Sequence, residues 1–188
     1  MYGLINKAIQ DLVLSRFGEA KWNEICRKAA VTEADFVSME KYPDETTYRL
    51  VGAASEVLNI PAAEVLELFG EYWTVYSAEA GFGHLLEFAG HNLVDFLRNL
   101  DNMHTRIALT FPKLDPPSFR VSDVTDRSLK LHYYSKRPGL APLVIGMVKG
   151  LGKRFDTPVS TRLERPRGDG REYDEFLVLY GEAAQPRG

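Results

Sequence analysis

The sequence predicts an α+β fold in which a helical N-terminal part is followed by a small antiparallel sheet carrying helices. Three observations point there. Apolar residues recur at three- and four-residue spacing through most of the first hundred positions, the period of a helix face. After Pro116-Pro117 the pattern changes to short runs suited to strands. Arg167-Gly168-Asp169-Gly170, set between two such runs, has the composition of a hairpin turn.

The elements follow in order. Ile5, Ile9, Leu12, Val13 and Phe17 mark a first helix, with Gly18 as its stop. A second is expected over Lys21 to Ala29. Tyr42-Pro43-Asp44 reads as a turn, with Asp44 capping a helix through Leu58. Pro61 suits a first helical position and opens a helix toward Tyr76. Gly81, Gly83 and Gly90 break the region before the next helix. There, Leu93, Phe96, Leu97, Leu100 and His104 form one stripe, because offsets of four, seven and eleven return to nearly one face. That helix ends before Pro112, and Pro116-Pro117 forces extended backbone. Phe119 to Val121 and Ser128 to Ser135 are expected as neighbouring strands joined by a polar turn. Ala141 to Phe155 reads as a helix with Leu143, Met147 and Leu151 on one side. Val159 to Glu164 and Tyr173 to Tyr180 are the hairpin strands, and 183–188 is a frayed tail.

At 188 residues the chain suits one domain, and its 45% apolar and 26% charged content is that of a soluble globular protein. A net charge of -3 offers no electrostatic basis for binding nucleic acid or anionic lipid. Lys7 and Asp11 interrupt the apolar N-terminus too early for a signal peptide. The longest uncharged run, the eleven residues from Pro138 to Val148, is too short to cross a bilayer. No membrane insertion is expected, and a cytoplasmic location is the default. Cys26 stands alone, which excludes a disulfide framework and a cysteine zinc site.

The chemistry concentrates in two places. His104 projects from an apolar helix stripe, and such an imidazole is a natural axial ligand for haem iron. Tyr133, Ser135 and Arg137 alternate, so on a strand all three point the same way. They offer two hydroxyl donors and a guanidinium fork, a receptor for the paired carboxylates of a haem edge. Leu129 and Leu131 continue that face upstream, making it apolar first and then polar. Taken singly, His104 fits a core histidine bonded to a carbonyl, and the tyrosine run fits a solvated strand end. Nothing suggests an enzyme. Gly146 to Lys153 lacks the spacing of a phosphate loop, and Arg154 stands where Ser or Thr is required. His84 and His91 have no carboxylate-histidine set around them and read as partly exposed. Cys26, four residues after Trp22, reads as a core residue.

Together, Met1-x-Gly3-x-Ile5, Leu100-Asp101-Asn102-Met103-His104, Pro116-Pro117 and Tyr133-x-Ser135-x-Arg137 occur in an order and at separations that resemble the H-NOX family. These are the haem nitric oxide/oxygen-binding domains, which include the haem domain of soluble guanylate cyclase. The resemblance covers essentially the whole chain. It implies haem b (iron protoporphyrin IX), with His104 as the proximal iron ligand and Tyr133, Ser135 and Arg137 at the propionates. Ile5 and Pro117 match positions that press on the macrocycle. It also implies a single domain over 1–182, with a helical distal part over about 1–65 and a sheet-bearing proximal part over about 66–182, the haem lying between them.

Oxygen-binding members carry a distal tyrosine five residues after the motif arginine, and here that position is Pro142. Ile5, Ile9 and Val13, on the facing surface of the first helix, offer no donor either. The expectation is a sensor of nitric oxide, also able to bind carbon monoxide, that excludes oxygen; Trp73 and Tyr76 are the residues that would modify it. The implied signal is loss of the His104–iron bond, relieving the push of Ile5 and Pro117. No output domain follows in this sequence, so by analogy with bacterial stand-alone relatives the partner is a separate histidine kinase or cyclic-di-GMP enzyme. The alternatives are an oxygen-binding haem sensor or carrier, and a haem-free interaction module.

Overall fold

The computed structural model describes residues 1–31, 36–77, 83–110 and 115–181. The elements are α1 (Gly3–Phe17), α2 (Glu19–Lys28), α3 (Asp44–Leu58), α4 (Ala62–Ser77), α5 (Gly83–Ala89) and α6 (Leu93–Thr110). They are followed by β1 (Ser118–Ser122), β2 (Ser128–Tyr134), α7 (Ala141–Arg154), β3 (Val159–Arg165) and β4 (Tyr173–Tyr180). The α+β fold read from the sequence is the fold observed. The frayed tail expected over 183–188, and Pro112, lie outside the described residues.

Helix ends follow local chemistry. Gly18 takes φ +83°, and its N–H returns to the Val13 and Leu14 carbonyls, so α1 stops there and α2 starts at the next residue. Two caps differ from the sequence reading. Pro43 is the N-cap of α3 and Asp44 its first helical residue, with no side-chain cap bond. The Asp44 carboxylate instead meets the Met1 amine and Arg137. Pro61 lies outside α4, where its carbonyl accepts the Glu64 and Val65 N–H groups. α5 was read only as a glycine-broken stretch. Gly83 begins it and Gly90, at φ +153°, lies just past its end, so these two glycines bound a helix instead of only breaking the region. Asn92 caps α6 by accepting the Asp95 N–H at 2.9 Å.

The sheet is antiparallel throughout, in the order β1-β2-β4-β3. Phe119 pairs with Tyr133, and Leu131 with Phe176. Leu129, Leu131 and Tyr133 of β2 and Phe176, Val178 and Tyr180 of β4 are buried in one core with Leu97 and Leu100 of α6 and Val144 and Val148 of α7. A second core joins α1 to α4 through Ile9, Leu12, Trp22, Ile25, Leu50 and Phe69. Leu66 of α4 and Leu143 of α7 touch both cores. At this seam the helix backbones lie against each other. A Cβ added at Gly146 would overlap the Glu67 carbonyl oxygen, and one at Gly70 the Leu143 carbonyl oxygen. Among the described residues no helix is long and apolar enough to cross a membrane.

Candidate functional site

A cavity of about 250 Å³ lies where the two cores meet. From the helical core come Ile5 and Ile9 of α1 and Leu66, Phe69 and Trp73 of α4, with Leu143 and Met147 of α7. From the sheet side come Met103, His104 and Ile107 of α6, Pro117 and Phe119. Tyr133, Ser135 and Arg137 also line it. The lining is mostly hydrocarbon, and the polar groups are few and specific, as expected of a site for a largely apolar ligand.

His104 reaches the cavity because the α6 stripe outruns the core. Leu93, Phe96, Leu97 and Leu100 are at most 3% exposed, and His104, one turn further on, meets the cavity instead. Its Nδ1 lies 2.9 Å from the Pro117 carbonyl oxygen. With the ring N–H donated there, the lone pair sits on Nε2, the tautomer that ligates a metal. Burial lowers the imidazole pKa, outweighing the Pro117 bond and the Asp101 charge that raise it, so the neutral form is favoured. Asp101, one turn earlier, accepts the Phe119 N–H at 3.3 Å and so ties α6 to β1 next to the Pro117 contact. Pro117, which matches a position that presses on the macrocycle, thus also acts through its carbonyl.

The polar rim is not built as a strand face. β2 ends at Tyr134, so only Tyr133 sits on it, while Ser135 and Arg137 lie in the turn beyond. They still converge because the turn folds on itself: the Arg137 N–H donates to Ser135 Oγ at 3.1 Å. Leu129 and Leu131 are fully buried in the sheet core and do not line the cavity, so the expected apolar-to-polar gradient does not run along β2. Tyr133 is 2% exposed, and burial raises its pKa, keeping it a phenol donor. The Arg137 Nε donates to Asp44 at 2.8 Å and its Nη1 to the Asp115 carbonyl at 3.0 Å. Arg167 was noticed only as part of a turn. Its guanidinium grips the buried Asp174 carboxylate with Nε and Nη2 and donates to the Ser135 carbonyl at 2.6 Å, bracing the rim.

Other residues fall as follows. Ile5, Ile9 and Trp73 line the cavity; Val13 lines a smaller hollow within the helical core, and neither Pro142 nor Tyr76 is in the cavity wall. Leu140 and Leu143, on either side of Pro142, are. His91 is exposed, the His84 side chain lies outside the described residues, and Cys26 packs partly buried against the helical core. Asp44 and Tyr48 had no motif to reveal them. Tyr48 lines the cavity and donates to the Pro138 carbonyl at 2.8 Å.

This donor set fits haem: one neutral imidazole oriented into an apolar cavity, with hydroxyls and a guanidinium gathered at its rim. Comparison with known proteins agrees. Residues 2–163 match the family model described as Haem-NO-binding. The chain is 33% identical over 198 residues to soluble guanylate cyclase gcy-32 of Caenorhabditis elegans, covering 100% of this chain and 29% of that protein. It is 37% identical over 130 residues to guanylate cyclase soluble subunit beta-2 of Rattus norvegicus, covering 66% of this chain and 19% of that one. The chain therefore spans only a minor part of these relatives' length. An H-NOX protein from S. oneidensis in the Fe(II) ligation state, a triple-alanine mutant, shares the fold with a TM-score of 0.87 at 18% identity over 97% of each chain. An oxygen-binding H-NOX domain related to soluble guanylate cyclases, in its oxygen complex, does so with a TM-score of 0.80 at 20% identity over 100% of this chain and 99% of that one. The chain belongs to the haem-NO-binding, or H-NOX, family of haem-based gas-sensing domains.

Proposed function

We propose that this domain senses nitric oxide through haem b, with His104 as the axial ligand and Tyr133, Ser135 and Arg137 receiving the propionates. The observation that carries the reading is the His104 ring, pinned at Nδ1 by the Pro117 carbonyl in an otherwise apolar cavity. When bound, haem supplies a ferrous iron with an open position for a diatomic gas. Ile5 and Pro117 bear on the macrocycle from walls belonging to different cores. Arg137 turns part of its fork from Asp44 and the Asp115 carbonyl toward a carboxylate of the ligand. Release of His104 is the output: α6 loses its tether at that point, and the two cores are free to shift against each other. We place the boundary between the distal and proximal parts near residue 65, inside α4, whose later residues Phe69 and Trp73 still pack on the helical core.

Selectivity against oxygen rests on the missing donor. Ile5, Ile9, Leu66, Phe69, Leu143 and Met147 carry none, and Pro142 stands where oxygen-binding members have a tyrosine. Trp73 favours a second reading, because its indole belongs to the cavity wall and is a hydrogen-bond donor. An oxygen-binding sensor or carrier would use it. Absorption spectra of the haem-loaded protein under nitric oxide, carbon monoxide and air separate the two. Bands that change under the first two gases but not in air support the nitric oxide sensor; a stable change in air, lost in Trp73→Phe, supports the second reading. A preparation made with ample haem that stays colourless refutes both. The domain itself is read as non-catalytic and cytoplasmic, and its partner as a separate histidine kinase or cyclic-di-GMP enzyme. His104→Gly mimics the gas-bound output on that partner; if it signals like the gas-free protein, loss of the axial bond is not the trigger.

A further inference from the structure

The cavity has an aromatic exit. Trp73 lines it, and its ring stacks on Tyr76 with centroids 6.2 Å apart and planes within 29°. Tyr76 lies 6.1 Å from Tyr72, and the Tyr72 hydroxyl donates to the carboxylate of Asp11, an exposed residue of α1. These spacings are those of rings in contact. We infer that Trp73, Tyr76 and Tyr72 form a relay that carries an oxidising equivalent from the cavity to the surface, with Asp11 as proton acceptor. The proton decides where the relay ends. A phenol oxidised by one electron becomes a strong acid, so the hole settles where a base is already bonded. Tyr48 donates to a backbone carbonyl, and Tyr133 is buried beside Ser135; neither has a carboxylate on its hydroxyl among the described residues. Tyr72 does.

The class of oxidant is a peroxide and the class of reductant a thiol. Hydrogen peroxide reduced in the cavity takes two electrons and two protons and leaves two waters. Each electron comes from Trp73, which regains one from Tyr76, and Tyr76 regains one from Tyr72. Tyr72 releases its hydroxyl proton to Asp11, becoming a neutral phenoxyl radical. A thiol at the surface returns the electron and gives its own proton to water, and Asp11 returns the phenol proton to Tyr72. Two thiols complete one disulfide per peroxide, the two protons they lose matching the two that the peroxide takes up. The relay spares the cavity walls from oxidation, and this peroxide turnover is an activity beyond the non-catalytic sensing role proposed above.

Two readouts test it, and the first needs no haem. Azide radicals generated by pulse radiolysis take an electron from tryptophan in the full chain. The expected result is growth of a phenoxyl band as the indolyl band decays, lost in Trp73→Phe and in the Tyr72→Phe/Tyr76→Phe double variant, and slowed in Asp11→Asn. Circular dichroism establishes that each variant is folded; if Trp73→Phe is not, the phenylalanine pair alone decides. Phenoxyl growth at the wild-type rate in a folded variant lacking Trp73 or both tyrosines overturns the relay. The second readout, which rests on the haem reading above, adds peroxide and a nitroso spin trap to haem-loaded protein and maps the adducts by peptide mass spectrometry. An adduct at Tyr72 supports the relay, whereas adducts confined to Tyr48 or Tyr133 overturn it. A colourless preparation sinks the haem reading and leaves the azide result standing.

Discussion

Two of the contacts between the helical and sheet-bearing cores, among the described residues, are built in opposite ways. Along α4 and α7, glycines bring backbone against backbone, and Leu66 and Leu143 belong to both cores. Between α3 and the turn after β2, the connection is a few polar contacts: Asp44 to Arg137 at 2.8 Å and the Tyr48 hydroxyl to the Pro138 carbonyl at 2.8 Å. Close-packed backbone has no second arrangement nearby, because any shift opens a void or forces an overlap. Hydrogen bonds at a half-exposed rim can be exchanged for others at little net cost. In the proposed signalling, the first contact would serve as a fulcrum and the second as a latch, and Arg137, which belongs to the latch, is also the residue proposed to receive a ligand carboxylate.

The comparison can be broken at the fulcrum first. Gly146→Ala drives a methyl group into the Glu67 carbonyl, which cannot yield, and is expected to cost about 3 kcal/mol by overpacking. Urea denaturation measures it; an unchanged midpoint would mean the helices stand further apart than described. Asp44→Asn removes the charge facing Arg137 and should cost about 1 kcal/mol, since side-chain exposures of 35% and 18% leave the pair well screened. If the latch reading is right, the variant's haem spectrum responds to gas as before while its lobes open more readily to hydrogen exchange.

The same pair carries a pH signature. Burial pushes the Asp44 carboxyl up, but the hydrogen bond and charge of the Met1 amine, together with Arg137, outweigh it and hold the group below its usual range. A carboxylate depressed in the folded state stabilises fully above its unfolded pKa of about 3.9 and loses that contribution as pH falls through the lower folded value. Thermal unfolding from pH 5 downward should therefore fall less steeply in Asp44→Asn than in the parent. Tyr48→Phe removes one hydrogen bond to a carbonyl at the rim and should cost about 0.5–1 kcal/mol. Lys149→Ala, which breaks only half-exposed ion pairs to Glu67 and Glu71 beside the fulcrum, should cost about 0.5 kcal/mol or less.

Much of the site was legible in the sequence, for local reasons. The α6 stripe brings His104 to the cavity, because helical periodicity depends only on neighbours along the chain. Ile5, Pro117, Tyr133, Ser135 and Arg137 all line the cavity, and the roles that the family resemblance implies for them are those proposed above. Reasoning from the period of two failed where β2 stopped: Ser135 and Arg137 converge through a turn, and Leu129 and Leu131 went to the core instead of the site. Glycine composition alone does not reveal α5, because Gly83 and Gly90 interrupt the pattern in the sequence yet sit at the start of the helix and just past its end. The sequence does not distinguish Trp73 from Tyr76, and the fold separates them: one belongs to the cavity wall and the other stacks behind it.

By itself, the sequence determined the order and type of most elements, the apolar face that carries the imidazole, and the hydroxyls and guanidinium of the rim. Periodicity and side-chain chemistry are properties of the chain at short range. Tertiary structure decided what those groups touch. The Pro117 carbonyl that selects the His104 tautomer is a backbone atom, which every residue type presents alike. The Asp44–Arg137 contact joins residues 93 positions apart, and the α4–α7 seam depends on how closely two helices approach. Such pairings arise only when separate segments are packed to fill space, so no local pattern in the chain records them.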